Sequence, residues 1–292
     1  MEGRVELTFW GVRGSIPTPG PETVRVGGNT SCVELRADGE HIILDAGSGL
    51  RPLGRALASE FAERPITLTV LITHTHWDHI QGFPFFVPAY NPRNHLHILG
   101  YEGARKDLQA TLAGQMESPY FPIALAQMPG NIIIEELKSL SFTIGSITGT
   151  ACHVNHPGVC VGYRLETSSG SVCYIPDHES GPPMQPESVS RTLEENVISF
   201  IKDADILILD AQYTGEEYRT HIGWGHGCID HVVRVAKAGK VKRLYLFHHD
   251  PSHDDAFLDT MLARARELAG EDLAVSLACE GDTVVVGKEA RP

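Results

Sequence analysis

Apolar and polar positions in the first half of the chain predict short strands and one clear helix. Alternating or β-branched runs predict strands at 6–10, 32–36, 41–44 and 67–72. Apolar residues recur at helical spacing over 50–62. The last strand, TLTVLI, ends directly at a group of histidines, so the pattern places that group at the end of a strand.

The second half begins with strands and then alternates strands with helices. Its predicted strands lie at 132–135, 142–148, 161–165, 172–175, 205–209 and 243–247, and two short strands close the chain. Its predicted helices lie at 189–201, at 227–238 and around 257–268. Ser252, with Asp255 three residues later, is the pattern of a cap for the last helix.

Two halves of similar size, each with strands and helices, indicate an α/β fold built as a four-layer αβ/βα sandwich. We expect a single domain over residues 1–292, because layered sandwiches of this length often form one unit. Residues 113–130 contain glycine, proline and aromatic residues without a clear period. Such an irregular stretch in a compact domain is typical of a functional loop or a lid.

Composition and charge exclude several classes of protein. The chain is 42% hydrophobic and 21% charged, which excludes a disordered or collagen-like chain. No apolar run is long enough for a transmembrane helix and the first residues carry no secretory signal, so we expect a cytoplasmic protein without a membrane partner. The six cysteines form no C-x-x-C pair, and we expect reduced thiols. The net charge of −13 argues against long nucleic acid as a partner.

The strongest chemical signal is a cluster of histidines in the sequence THTHWDH at residues 73–79. His74 and His76 are two residues apart, so in an extended chain their side chains can share one side. Buried imidazoles need partners and repel one another when charged, which makes a purely structural cluster hard to justify. We therefore expect one metal ion at this pair and a second metal ion at Asp78 and His79.

The pattern H-x-H-x-D-H after a strand resembles the signature of the metallo-β-lactamase fold superfamily, and the resemblance covers about residues 5–286. It implies that His156, in NHPG, is the third ligand of the first metal, and that Asp177, in YIPD, bridges both metals. It also implies that His248, after the strand LYLF, completes the second site. We expect two divalent ions, preferably zinc, because imidazole and carboxylate ligands suit it, with manganese or iron as alternatives.

A second motif points to catalysis. GWGHG at 223–227 precedes a predicted helix, and the segment DAQY begins at Asp210. This arrangement resembles the ribonuclease Z-like branch of the superfamily, which implies that His226 meets the substrate phosphate and that Asp210 orients His226. An imidazolium there can stabilise the phosphate or protonate the leaving oxygen. The alternative is a histidine that caps a loop and an aspartate that ends a strand. Asp78 is the third residue that we expect to act in catalysis.

The resemblance implies a metal-dependent phosphodiesterase in which hydroxide held between the metals attacks the substrate while His226 assists the leaving group. Ribonuclease Z enzymes carry a long basic arm between the third histidine and the bridging aspartate, but here only 20 residues (157–176) separate His156 from Asp177. The missing arm and the negative net charge favour a small phosphodiester, and we expect a cyclic nucleotide, as in similar cyclic-nucleotide-degrading (anti-Pycsar-like) members. The resemblance also implies a homodimer, with residues 113–130 as a candidate interface or lid.

The sequence allows two other functions besides a cyclic-nucleotide phosphodiesterase and argues against a third. A nuclease for short RNA or DNA ends and a metal-binding sensor without activity are the alternatives. β-Lactam hydrolysis fits poorly, because position 177 is Asp where zinc β-lactamases typically have Cys.

Several residues near the motifs allow two interpretations. Asp45 follows a predicted strand and either supports a ligand histidine or forms a turn. Arg13 and Asn29 lie on loops. The alternatives for them are a contact with a phosphate or base of the substrate, or a role in stabilising the turn. His153 and His249 stand next to predicted ligands, and we expect them outside the metal sites.

Overall fold

The computed structural model describes residues 5–62, 64–101, 107–180 and 187–287, and within 187–191 it describes the backbone alone. The first four residues, on which the expectation of a missing secretory signal rests, lie outside this part of the chain. Its strands are β1 Val5–Gly11, β2 Cys32–Ala37, β3 Glu40–Leu44, β4 Thr67–Ile72, β5 His95–Gly100, β6 Asn131–Glu136, β7 Ser141–Ile144, β8 Ile147–His153, β9 Val161–Thr167, β10 Gly170–Ile175, β11 Ile206–Asp210, β12 Arg243–Phe247, β13 Ala274–Leu277 and β14 Thr283–Val286. Its helices are α1 Leu50–Phe61, α2 Trp77–Ile80, α3 Leu108–Gly114, α4 Glu187–Phe200, α5 Gly215–His221, α6 Ile229–Ala238 and α7 Asp255–Ala269.

The strands form two seven-stranded sheets, each of which contains a group of four parallel strands. The first has the order β14-β1-β2-β3-β4-β5-β6 and the second the order β13-β12-β11-β10-β9-β8-β7. In the first sheet the strands from β3 to β6 are parallel, and in the second the strands from β10 to β13 are parallel. The last strand, β14, pairs with β1 and so belongs to the sheet of the first half. The carboxyl ends of both parallel groups are the places where this fold can assemble a site.

Successive side chains along each strand point to opposite faces of its sheet, so one face packs against the other sheet and the other face packs against helices. In β4, Leu71 joins the large apolar cluster between the sheets, whereas Leu68 and Val70 face α1 on the outside. Across the sheets, Phe9 of β1 lies 5.3 Å, centroid to centroid, from the ring of Tyr245 in β12. Helices α6 and α7 cover the outer face of the second sheet. The fold is therefore the expected four-layer αβ/βα sandwich.

The structure corrects several element predictions. The range 142–148 is not one strand, because Gly145 adopts φ +54° and turns the chain between β7 and β8. The last helix is capped by Asp254, whose side chain accepts a hydrogen bond from the Phe257 N–H, and not by Ser252. Strand β5 and helices α3 and α5 were not predicted. None of the helices within the described residues combines the length and the hydrophobicity of a membrane-spanning segment.

Candidate metal centre

The residues of the candidate site follow the carboxyl ends of strands from both sheets. The segment 73–79 leaves β4 and enters α2. His156 lies after β8, Asp177 after β10 and His248 after β12. The fold thus brings together four segments that are far apart in the sequence. Three of them follow strands of the parallel groups, whose carboxyl edge is the expected place for a site, and His156 follows β8, which pairs antiparallel with both neighbours.

The three histidines predicted for the first metal are brought together. Their nearest ring nitrogens all lie within 4.8 Å of one another. Nδ1 of His76 and Nε2 of His156 are 3.1 Å apart. Nε2 of His74 and Nε2 of His156 each lie 3.7 Å from Oδ2 of Asp177. A single cation in the space between them would meet three nitrogens and one carboxylate oxygen.

Asp78, His79 and His248 form a second group of the same size. Nε2 of His79 and Nε2 of His248 lie 3.3 Å and 3.1 Å from Oδ2 of Asp78. The same two nitrogens lie 3.0 Å and 3.5 Å from Oδ1 of Asp177. Asp177 therefore presents Oδ1 to the second group and Oδ2 to the first, which is the geometry that a bridging carboxylate requires.

Nε2 of His74 is buried and lacks a hydrogen-bond partner among the described residues, and Nε2 of His79 and Oδ1 of Asp177 face each other at 3.0 Å without the geometry of a hydrogen bond. Such orphaned groups are costly in a folded protein and need an explanation. Burial lowers the pKa of His74 well below its usual value, so its ring stays neutral with a lone pair available. Burial opposes ionisation of Asp177, but His248 and His79 outweigh it and hold its pKa well below the usual range. The neutral ring of His74 beside the ionised Asp177 suits a divalent cation. Burial opposes protonation of His79, but the carboxylates of Asp177, Asp78 and Asp45 outweigh it and raise the pKa of that ring well above its usual value.

The candidate ligands are oriented from behind by other side chains. The buried Asp45 accepts from the Thr73 N–H at 2.8 Å and from the Tyr174 hydroxyl at 3.0 Å, and its Oδ2 lies 2.8 Å from Nδ1 of His79. Its φ is +60°, and its carboxylate contacts Thr73, Tyr174 and His79, so the structure favours the support of a histidine over a turn. In the second sheet, Oε1 of Gln212 lies 3.1 Å from Nδ1 of His248. Such contacts fix the tautomer and direction of a ligand histidine.

His226 and Asp210 form the pair that the second motif implied. Nδ1 of His226 lies 2.9 Å from Oδ2 of the fully buried Asp210. Burial disfavours the charged ring, but the carboxylate of Asp210 outweighs it and raises the pKa of His226 to about 9. The ring stacks on His248 with a centroid distance of 4.8 Å. It also lines the open cleft of about 530 Å³ that Asp78 and Asp177 border. A protonated imidazole therefore stands beside the candidate metal centre.

The sequence did not single out Glu179, which supports the loop that carries His226. Its carboxylate accepts hydrogen bonds from the Tyr218 hydroxyl at 2.7 Å and from the N–H groups of Gly223 and Gly225 at 2.9 Å and 3.0 Å. The only signal in the sequence is its place two residues after Asp177. The backbone N–H of Ser15 was also missed, and it donates to Oδ2 of Asp78 at 2.8 Å.

Four residues near the motifs have other roles. Arg13 is fully buried and donates to the carbonyl oxygens of Gly27, Asp250 and His253, so it links loops instead of facing the cleft. Asn29 donates through its side chain to Glu280 at 2.9 Å. His153 is exposed and its ring contacts Tyr101. His249 is buried, and its Nε2 lies 3.1 Å from the Ala278 carbonyl oxygen, away from the cleft.

Comparison with known proteins extends this description. The family model described as "Beta-lactamase superfamily domain" matches residues 40–249. Ribonuclease Z of Clostridium tetani is 25% identical over 299 residues, covering 86% of this chain and 90% of that protein. The metallo-beta-lactamase fold protein YhfI from Bacillus subtilis superposes with a TM-score of 0.69 and 19% identity, over 97% of this chain and 100% of that one. Human tRNase Z, short form, gives a TM-score of 0.65 with the same identity and coverage.

Proposed function

Because the chain belongs to the metallo-β-lactamase fold superfamily and to its ribonuclease Z-like branch, we propose that it is a metal-dependent phosphodiesterase. We propose that its substrate is a small phosphodiester. One observation carries the proposal. Asp177 directs its two oxygens at two separate groups of ligand atoms, and the His226–Asp210 pair stands beside them. Two cations with an adjacent proton donor are what hydrolysis of a phosphodiester needs.

In this proposal His74, His76 and His156 hold one divalent ion, whereas Asp78, His79 and His248 hold the other, and Asp177 joins them. When bound, such ions lower the pKa of water and neutralise the charge that develops on the phosphate. We propose zinc for both positions, because nitrogen and carboxylate donors suit it, and manganese is the alternative.

His226 acts on the leaving oxygen. Its Nδ1–H is held by Asp210, so Nε2 is the atom left to carry the second proton. As the bond between phosphorus and the leaving oxygen breaks, that proton passes from Nε2 to the oxygen, and the ring becomes neutral. Asp210 stays ionised and fixes the ring in the orientation that the transfer requires.

A cyclic nucleotide is the proposed substrate. Residues 157–176 contain a short loop and the hairpin of β9 and β10 and leave no room for an extended arm. The net charge of −13 is unfavourable for a long phosphate backbone. The second candidate is the cleavage of short RNA, which the name of the ribonuclease Z relatives favours. A cytoplasmic location and a homodimer stay predictions, and sedimentation of the purified protein tests the latter.

The experiment combines metal analysis with a substrate panel. The protein is stripped with a chelator, restored with zinc or manganese, and assayed with bis(p-nitrophenyl) phosphate, cyclic nucleotides and short oligonucleotides. We expect two ions per chain and the highest kcat/KM on a cyclic nucleotide. Asp177→Asn should lose metal and turnover, whereas Asp259→Asn, a change of the same kind at an exposed position, should keep both. Bound metal without turnover would identify a sensor, and preference for oligonucleotides would identify a nuclease.

A further inference from the structure

A second pocket opens beside the metal centre and shares a wall with it. It has a volume of about 670 Å³ and is bordered by the segment that follows the ligand motif and by residues 111–121. Thr75 and Trp77 line both this pocket and the cleft that contains Asp78, Asp177 and His226. A molecule held by its phosphate at the metal centre can therefore extend directly into this space, which has the size of a typical small-molecule site.

The lining is aromatic and unusually exposed. The side chains of Trp77 and Tyr120 are 77% and 80% exposed, and that of Phe85 is 53% exposed. Phe85 meets Phe121 edge to face with a centroid distance of 5.4 Å. Single exposed apolar side chains are common, but large aromatic rings gathered around one pocket mark a binding site.

A polar residue in the same wall restricts the chemistry of the ligand that this pocket can bind. Nε2 of Gln115 is buried and has no hydrogen-bond partner among the described residues. A buried amide donor without a partner is costly, so this group favours a ligand with an acceptor on its edge. Among the described residues, the lining contains no Lys, Arg or His but does contain Glu117. The pocket is therefore suited to a neutral ring and not to a second phosphate.

We propose that this pocket binds the base of a nucleotide whose phosphodiester lies at the metal centre. The inference rests on the proposed function and names its substrate class. Trp77 stands between His76 and Asp78 in the sequence, so its backbone is tied to that of the candidate ligands, and its side chain lines both the pocket and the cleft. The rings of Trp77 and Tyr120 offer faces for stacking, and a rotation of the Gln115 side chain, which lines the pocket, brings its amide donor to an acceptor atom of the base. Residues 114–121 thus form a wall of the substrate site.

The kinetic test compares two changes at one exposed residue. Tyr120→Ala removes the ring, and Tyr120→Phe keeps it; Ile133→Ala, at an exposed residue outside the pocket lining, is the control. The substrates are the cyclic nucleotide that is turned over fastest and the cyclic phosphate of ribose without a base. We expect Tyr120→Ala to raise the KM of the cyclic nucleotide about 5-fold to 150-fold with kcat nearly unchanged, as loss of one stacked ring would. Tyr120→Phe, Ile133→Ala and the substrate without a base should show no such change.

A binding measurement does not depend on turnover or on metal. Nucleoside monophosphates added to the metal-free protein should quench tryptophan fluorescence, and ribose 5-phosphate should not. Trp77→Phe should abolish the quenching, although Trp10 and Trp224 remain. Quenching without any phosphodiesterase activity would overturn the proposed function and keep the pocket. Turnover of a cyclic nucleotide with no quenching by any of the four common bases would overturn the pocket and keep the function.

One further outcome would also overturn the proposal. If Tyr120→Ala converts a dimer to a monomer in sedimentation while the KM of the cyclic nucleotide stays unchanged, the aromatic residues form an interface between two copies of the chain. The kinetic constants and the sedimentation coefficient of the same variant therefore decide between a base and a second copy as the occupant.

Discussion

At the scale of single residues, the division of labour between the candidate ligands and His226 can be tested. His226→Ala should leave both metal ions bound, because it removes none of the candidate ligands of either ion. It should reduce turnover of a cyclic nucleotide by about 10²-fold to 10⁴-fold, the usual contribution of a general acid. Turnover of bis(p-nitrophenyl) phosphate should fall much less, because p-nitrophenolate leaves without a proton. Metal content and kcat on both substrates are the measurements.

Asp210→Asn is the companion change to His226→Ala. It should cost less than the loss of the ring, because Asp210 affects the leaving group only by orienting His226. The carboxylate of Asp210 also accepts hydrogen bonds from the backbone N–H groups of His178 and Gln212, one of which an amide oxygen can still accept. Equal losses on the two substrates would assign His226 to phosphate binding. Loss of metal from His226→Ala would place His226 among the ligands.

His41, on β3, gives a prediction about pH and stability. Burial, reinforced by Arg36, lowers the pKa of His41 below its usual value, and its buried Nδ1 has no hydrogen-bond partner among the described residues. As the pH falls below 6.5, the unfolded chain takes up a proton at this residue before the folded chain does. Stability should therefore fall more steeply in the wild type than in His41→Phe between pH 7.5 and pH 5. Urea unfolding midpoints of both proteins, with the exposed His95→Gln as control, measure the difference.

At the scale of elements, the loop between α5 and α6 carries His226, but its large apolar side chains, Ile222 and Trp224, are exposed. Glu179 holds it through the N–H groups of Gly223 and Gly225. We expect Glu179→Gln to lower kcat for a cyclic nucleotide about 10-fold while metal content stays at two ions, because an amide oxygen is a weaker acceptor than a carboxylate. Turnover of bis(p-nitrophenyl) phosphate should change little. An equal loss on both substrates would show that Glu179 supports the whole centre and not His226 alone.

Elements with a strong local pattern were predictable from the sequence, and those defined by distant contacts were not. The strand 67–72 was predicted with its observed bounds because its β-branched run stops at the histidines. The pattern over 142–148 predicts one strand, although the two-residue turn Gly145-Ser146 divides it into β7 and β8, because short β-branched runs lie on both sides of that turn. The candidate ligands could be named from motifs, whereas Glu179 and Gln212 could not, since their roles depend on contacts with Gly223 and His248 from other segments.

At the scale of the whole molecule, the candidate metal centre joins the two halves of the sandwich. His74, His76, Asp78 and His79 follow a strand of the first sheet, and the remaining ligands follow strands of the second. The ionised Asp177 lies among the imidazoles of the candidate ligands, and Nε2 of His74 is buried without a hydrogen-bond partner among the described residues, which is costly in a folded protein. We therefore expect bound metal to stabilise the packing of the two sheets against each other, because ligands from both sheets would hold the same ions.

We expect a chelator to lower the melting temperature of the protein, because a ligand bound only by the folded state at 100 times its Kd stabilises that state by about 2.7 kcal/mol. Asp177→Asn should melt at nearly the same temperature with and without zinc, because it cannot bridge two ions. Asp259→Asn, an exposed change of the same kind, should respond to zinc as the wild type does. Calorimetry with zinc or chelator measures all three proteins. An unchanged melting temperature of the wild type in chelator would mean that the cations do not link the sheets, and that the cluster of histidines is stable by itself.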